Sequence, residues 1–452
     1  MVHGEIPALE DVRAAALRPM GPSGRGFWVL TGVLALLVAW GAIGYGAQLL
    51  WGLGAAGYTD TGFWGIYEAN LVAFIAVSYG GALVSAILRL TQAKWRAPIT
   101  RLAEATALFS LLVGMTFALV HLGRPDRVWR MILTPQMASP IVWDFIVIVT
   151  YLVATMIFLY FPLIPDVAVL RDRSDDGGWR HRLYALLACN WRGDPEQRRI
   201  LARGTTTVAI VIVPLAVFVH SVLSWAFAFT GRPGWHSTIF APYFVVGALY
   251  SGIGMVILVV AAFRSGYKLH PYLTLKHFQY LGYLMITLDM TYLYFTFTEL
   301  ITEGYVMNEE VMPVLEAMLV RQFAPYFWFF ILAGGFLPLV IVGLPRTRTI
   351  RGIVVAAALV VATMWLKRLL IVVPAVAHPL ITGTWGIFQL TWVAVAITVG
   401  AAAAIPLLLM VFFKHFPILS IDEMEEVAAE EAHAFAPPRQ QVEAAVHSPG
   451  RV

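Results

Sequence analysis

A single cysteine, Cys189, stands in a chain of 452 residues. It excludes a disulfide framework, and it excludes an iron–sulfur cluster held by this chain alone, which takes about four thiolates. Charge is almost as scarce. Asp, Glu, Lys and Arg make up 13% of the residues and apolar types 59%, whereas soluble domains run near 25% charged and about 45–50% apolar. The net charge of +4, dispersed along the chain, gives no basic patch for nucleic acid. The opening residues, MVHGEIPALEDVRAAALRP, hold no apolar core of the kind a cleavable signal peptide needs, and none is expected.

What the chain does have is apolar length. A membrane-spanning helix takes about 20 mostly apolar residues. Ten stretches qualify, at 26–50, 63–89, 101–122, 140–163, 205–229, 240–263, 274–300, 322–344, 351–373 and 386–413. They are continuously apolar, without the alternation of barrel strands, so the expected fold is an all-α polytopic membrane bundle of about ten helices. Gly80-Gly81, Gly334-Gly335, Pro214 and Pro338 predict close packing and local kinks. No internal repeat stands out.

Lys and Arg set the expected orientation. The N-terminus, the even-numbered connections and the C-terminus together hold 24 of the 31, which places both termini in the cytoplasm by the positive-inside rule. The chain then divides into a cytoplasmic segment 1–25, a transmembrane domain 26–413 and a cytoplasmic tail 414–452. Within the domain a cytoplasmic loop, 164–204, holds eight arginines, and LYALLACNW there suits a short amphipathic helix. The tail opens as an acidic helix and turns polar, a composition expected to be disordered.

With that orientation the embedded ionisable groups crowd the outer leaflet. Glu68, His121, Asp144, His220, Lys367 and Arg368 all fall in outer halves of their segments. In the seventh segment Asp289, Tyr292, Thr296, Glu299 and Glu303 are spaced 3, 4, 3 and 4 residues apart, which keeps all five on one helix face. The inner half holds only Glu104. A one-sided cluster predicts a pocket near the outer surface, not a continuous channel. Its centre is the stretch HLGRPDRVWRMILTPQMASPIVWD, running from His121 to Asp144 with Arg124, Arg127 and Arg130 between. Ionisable groups at such a place usually mark where charge or protons move. Plainer roles exist for each: a solvated cap for His121, a helix-dipole partner for Asp144, snorkelling for Lys367 and Arg368, a packing stripe for 289–303, an interfacial belt for Trp64, Tyr67, Trp143, Trp225 and Trp235. Together, acids, bases and aromatics from six segments on one leaflet favour a site.

At these residues the sequence resembles the NrfD-like, polysulfide-reductase-type membrane subunits, including those of alternative complex III. The resemblance rests on TGFWGIYEANLVAFIAVSYGGALVSAILRLTQAKWRAPITR, VHLGRPDRVWR, SPIVWDFIVIVTYL, GWHSTIFAPYFVVGALYSG, YLYFTFTELITEGY and MWLKRLLIVVP. Ten segments resemble the larger branch found in alternative complex III. Tyr79, where that branch commonly has histidine, and Lys367, where it has an acid, resemble subunits of sulfur-metabolism and multihaem complexes.

The resemblance implies a multi-pass subunit of a prokaryotic cytoplasmic membrane, inactive alone, that takes menaquinone or ubiquinone as substrate near the outer face. It implies no haem, metal or cluster in this chain. It also implies an extracytoplasmic iron–sulfur partner, a multihaem or molybdopterin-type subunit, and further membrane subunits. Quinol oxidation releases protons as well as electrons, so His121 and Asp144 are expected as the catalytic proton acceptors. Tyr67, Glu68, Tyr79, Trp143, His220, Trp225 and Arg368 are expected around the quinone, with Arg368 or Lys367 keeping Asp144 or Asp289 ionised. Asp289, Tyr292, Thr296 and Glu299 form a candidate proton route, and Arg124, Arg127 and Arg130 a docking patch for the partner. Two other readings stay open: a proton- or ion-translocating subunit without a quinone site, suggested by Asp289 and Glu68, and a haem anchor ligated by His121 and His220.

Overall fold

The computed structural model describes residues 9–60, 62–174, 178–379 and 384–425. Among them no strand forms; the one bridge, Thr59 to Gly62, stands alone. In chain order the helices are α1 (Leu9–Leu17), α2 (Arg25–Trp51), α3 (Ile66–Leu90), α4 (Ala97–Val120), α5 (Pro140–Arg173), α6 (Trp179–Leu187) and α7 (Pro195–Ala228). There follow α8 (Phe240–Gly266), α9 (Leu275–Val306), α10 (Met312–Leu319), α11 (Ala324–Gly343), α12 (Ile350–Ala377) and α13 (Trp392–His415). Among the described residues nine of these are long and apolar enough to cross a membrane. The expected tenth is α9, 32 residues long. Interrupted by its charged stripe, it holds no stretch as apolar as those that let the other nine span.

Helices α5 and α7, of 34 residues each, run well past the apolar stretches from which they were expected. Much of 164–204 is therefore helix. The link that remains carries α6, which stops at Leu187 before Cys189 and Asn190 turn left-handed, with φ of 46° and 57°.

Helix α3 lies at the centre, almost wholly buried among α4, α7, α8 and α12. Glycine permits the tightest crossing: a Cβ on Gly80 would collide with the Gly252 backbone of α8. Gly81 is as constrained, since its Cβ would sit 2.5 Å from the Ala103 carbonyl oxygen. Small residues at such crossings let backbones approach closely in a membrane. Within α11, residues 330–336 widen into a π-helical stretch around Gly334-Gly335, and the Gly334 carbonyl accepts from Tyr250 Oη at 2.5 Å. By contrast α2 is largely exposed and leans on α13.

The arginine-rich end is closed by the chain that follows α13. Arg101 donates to Asp166 at 2.8 Å, with both side chains only 1% exposed. The other Asp166 oxygen accepts from the backbone N–H groups of Ile421 and Asp422 at 3.1 and 3.3 Å. Glu423 accepts from Arg89 and, at 2.6 Å, from Arg96. Residues 421–425 thus form a helical turn seated on buried carboxylate and guanidinium groups. The rest of the tail, 426–452, and residues 1–8 lie outside the described residues.

Candidate functional site

At the opposite end from the arginines, the start of α3 and the end of α4 meet. Glu68, in the first turn of α3, accepts from the Gly65 N–H at 3.0 Å and from Tyr58 Oη at 2.9 Å, both on Oε2. Its other oxygen, Oε1, faces His121, whose Nε2 lies 3.5 Å away. His121 caps α4 with its N–H bonded to Phe117 O at 3.0 Å. Neither Glu68 Oε1 nor His121 Nδ1 makes a hydrogen bond, although both atoms are buried. Burial, and then the neighbouring Glu68, hold the Tyr58 phenol well above its ordinary pKa, so it stays a proton donor to the carboxylate. Tyr67 ties this corner together: its hydroxyl donates to Gln48 Oε1 at 2.6 Å, and Gln48 Nε2 donates to Val120 O at 2.6 Å.

Asp144 stands near the start of α5, half-buried, with Oδ1 buried and unpartnered. Among the described residues no hydrogen bond or ion pair joins it to His121; the carboxylate that faces the imidazole is Glu68. Trp143 is committed to the local chain, donating from Nε1 to Met137 O at 2.6 Å. Trp225 is 40% exposed and turns outward. His220 is fully buried, its ring 4.6 Å from that of Tyr79; both imidazole nitrogens and the Tyr79 hydroxyl lack partners.

Arg368 is placed differently from the expectation. Its guanidinium donates to Met364 O on its own helix at 2.9 Å and to Ser251 Oγ of α8 at 3.3 Å. It makes no ion pair with Asp144 or Asp289, because its reach is spent toward α8. On α9, Asp289, Tyr292 and Thr296 are buried as the spacing predicts. Asp289 has no partner for either oxygen. Tyr292 stacks on Tyr243 at 4.6 Å, Tyr243 Oη and Thr296 Oγ1 are 2.7 Å apart, and Glu299 Oε1 accepts from Ser237 Oγ at 2.9 Å. The stripe is thus a set of separate contacts to α8 and to the loop before it.

In the 122–139 connection Arg124 pairs with Asp126 at 2.9 Å, and this bond holds the exposed carboxyl below its ordinary range. Arg127 and Arg130 are exposed, Arg130 over the Trp129 ring at 5.5 Å. Trp129, Ile132, Leu133 and Met137 are exposed beside them. Sequence reasoning missed Tyr58 and Gln48. Gln48 had a signal, being the one amide in the 26–50 stretch; Tyr58, in a short loop, had none.

These elements define a helical, multi-pass membrane protein with a polar corner at one end and an arginine-rich surface at the other. A model of the family Polysulphide reductase, NrfD, matches residues 54–379, and the chain belongs to that family. It is 27% identical over 428 residues, 90% of this chain and 94% of the relative, to a putative dimethyl sulfoxide reductase membrane subunit from Halobacterium salinarum. It is 23% identical over 423 residues, 88% of this chain and 96% of the relative, to an Hdr-like menaquinol oxidoreductase integral membrane subunit from Archaeoglobus fulgidus. A selenate reductase subunit from Mesobacillus selenatarsenatis is 24% identical over 243 residues, 52% of this chain and 57% of the relative.

Proposed function

We propose that the chain is the quinone-reactive membrane subunit of a respiratory oxidoreductase, working on a menaquinone-type quinol and exchanging electrons with an iron–sulfur partner. We take the membrane to be a prokaryotic cytoplasmic membrane, with the arginine-rich end inside by the positive-inside rule and the Glu68–His121 corner at the outer face. The single observation that carries the reading is the pair of unpartnered buried acceptors there, Glu68 Oε1 and His121 Nδ1, with Asp144 Oδ1 a third such atom near the start of α5. Buried polar atoms are normally satisfied, and orphans call for a functional explanation. A hydroquinone supplies the missing donors and needs acceptors for its two protons as two electrons leave. In this reading His121 takes a proton beside Glu68, which stabilises the imidazolium. Asp144 takes the other proton. Arg127, Arg130 and the exposed apolar residues around Trp129 receive the electron-carrying partner, and the names of the relatives favour a reductase-type complex.

The test is quinol turnover by the purified complex. Removing one proton acceptor costs about 10²–10⁴-fold in rate, so His121→Ala and Asp144→Asn are expected to collapse turnover while the complex still assembles. Near-native turnover in both variants sinks the assignment.

A further inference from the structure

A small, half-open cleft lies among α8, α9, α10, α12 and the 231–239 connection. Trp235, Tyr243, Glu299, Glu303, Leu315 and Lys367 are among its walls. It shares none of the residues of the Glu68–His121 corner. Like most small-molecule pockets it is chiefly apolar with a few polar groups.

Lys367 is the odd feature. The residue is only 4% exposed, and among the described residues its ammonium makes no hydrogen bond and no ion pair. Nζ lies 5.6, 5.8 and 5.7 Å from the ring centroids of Tyr243, Phe327 and Phe330, attracted at longer range by Glu299 and repelled by Arg368. Aromatic faces attract a cation but accept none of its three N–H donors in the ordinary way. A buried ammonium left so is costly, and a ligand that brings an acceptor oxygen removes the cost.

The other walls are already committed. Trp235 Nε1 donates to Ile371 O at 2.9 Å, and the Tyr243 hydroxyl is engaged with Thr296. Glu299 uses Oε1 for Ser237, leaving Oε2 to accept from a ligand. Glu303 lines the same cleft. An anion entering here meets two carboxylates, and a cation meets Lys367. A neutral flat ring carrying a hydroxyl satisfies both sides, accepting from Lys367 and donating to Glu299.

We propose that this cleft is a second quinol-binding site, in which Lys367 and Glu299 hold one ring oxygen between them. The proposal rests on the proposed function only for the class of ligand. It is tested by anaerobic equilibrium dialysis of menadiol, a naphthoquinol without a tail, against the full chain in lipid nanodiscs, with empty discs subtracted. Two molecules per chain are expected at saturation. Lys367→Met removes one and His121→Ala the other. Met318→Trp, which fills the cleft from α10, removes the same one as Lys367→Met and serves if that variant fails to fold. Binding unchanged in both Lys367→Met and Met318→Trp overturns the second site. One molecule per chain, lost only in His121→Ala, overturns it while keeping the first site. One molecule lost only in Lys367→Met keeps the cleft and overturns the quinone reading at His121.

Discussion

Nε2 of His121, at the end of α4, lies 3.5 Å from Oε1 of Glu68, in the first turn of α3. Two consecutive helices thus present an acid and a base to each other at the end of the molecule away from the arginines. The carboxylate is held from behind by Tyr58 and the Gly65 N–H, so its free oxygen points at the imidazole.

Glu68→Gln keeps the shape of this contact and removes its charge. In the proposed mechanism the protonated imidazole loses its stabilising partner, so quinol turnover should fall by about 10²-fold, the low end for a group in proton transfer. Tyr58→Phe should act on stability instead, costing about 1.5–3 kcal/mol for one hydrogen bond to a charged group. Turnover by the assembled complex and thermal unfolding read the two effects separately. A Glu68→Gln complex as active as wild type contradicts the pairing.

The orientation has a native reporter. Cys189 is exposed at the arginine-rich end. With that end in the cytoplasm, a membrane-impermeant maleimide should leave Cys189 unlabelled in intact cells and label it after lysis. In Cys189→Ser/His236→Cys the pattern should reverse, because His236 is exposed in the connection before α8. Labelling of Cys189 in intact cells inverts the topology.

Arg101 and Asp166 are a buried pair, and breaking one partner of such a pair costs about 3–5 kcal/mol. Arg101→Ala should therefore lower the melting temperature strongly. Asp166→Ala should also release the turn at 421–425, whose backbone N–H groups donate to that carboxylate, and expose it to added protease. Replacing both residues by Met and Leu should cost less in melting temperature than either single change. A double variant worse than both singles refutes this account.

Gly80→Ala should fail or assemble poorly, since the added methyl meets the Gly252 backbone and no flexible side chain can yield. Overpacking typically costs about 1–3 kcal/mol, and a backbone clash belongs at the upper end. Gly46→Ala, where no atom lies within 4 Å of the added carbon, is the control. Equal yield and melting temperature for both variants contradicts the tight α3–α8 crossing.

Much of the fold was readable from the chain alone, because a span is a local property. Hydropathy summed over a segment located the helices, and the 3-4 spacing from Asp289 to Glu303 identified the inward face of α9, since helix periodicity acts within one element. The ends of helices were less readable. Past the apolar stretch of α5, Asp166 and Arg171 read as loop, yet the helix continues, because Arg101 on another helix neutralises Asp166. Pairing between helices was the least readable. His121 faces Glu68 where its nearer neighbour in the chain was Asp144, and Arg368 turns to Ser251 where a carboxylate was expected. Which side chains meet depends on the depth and rotation of each helix against its neighbours. Those are set by contacts such as Gly80 on Gly252, which bring together residues far apart in the chain, and only the packed structure decides them.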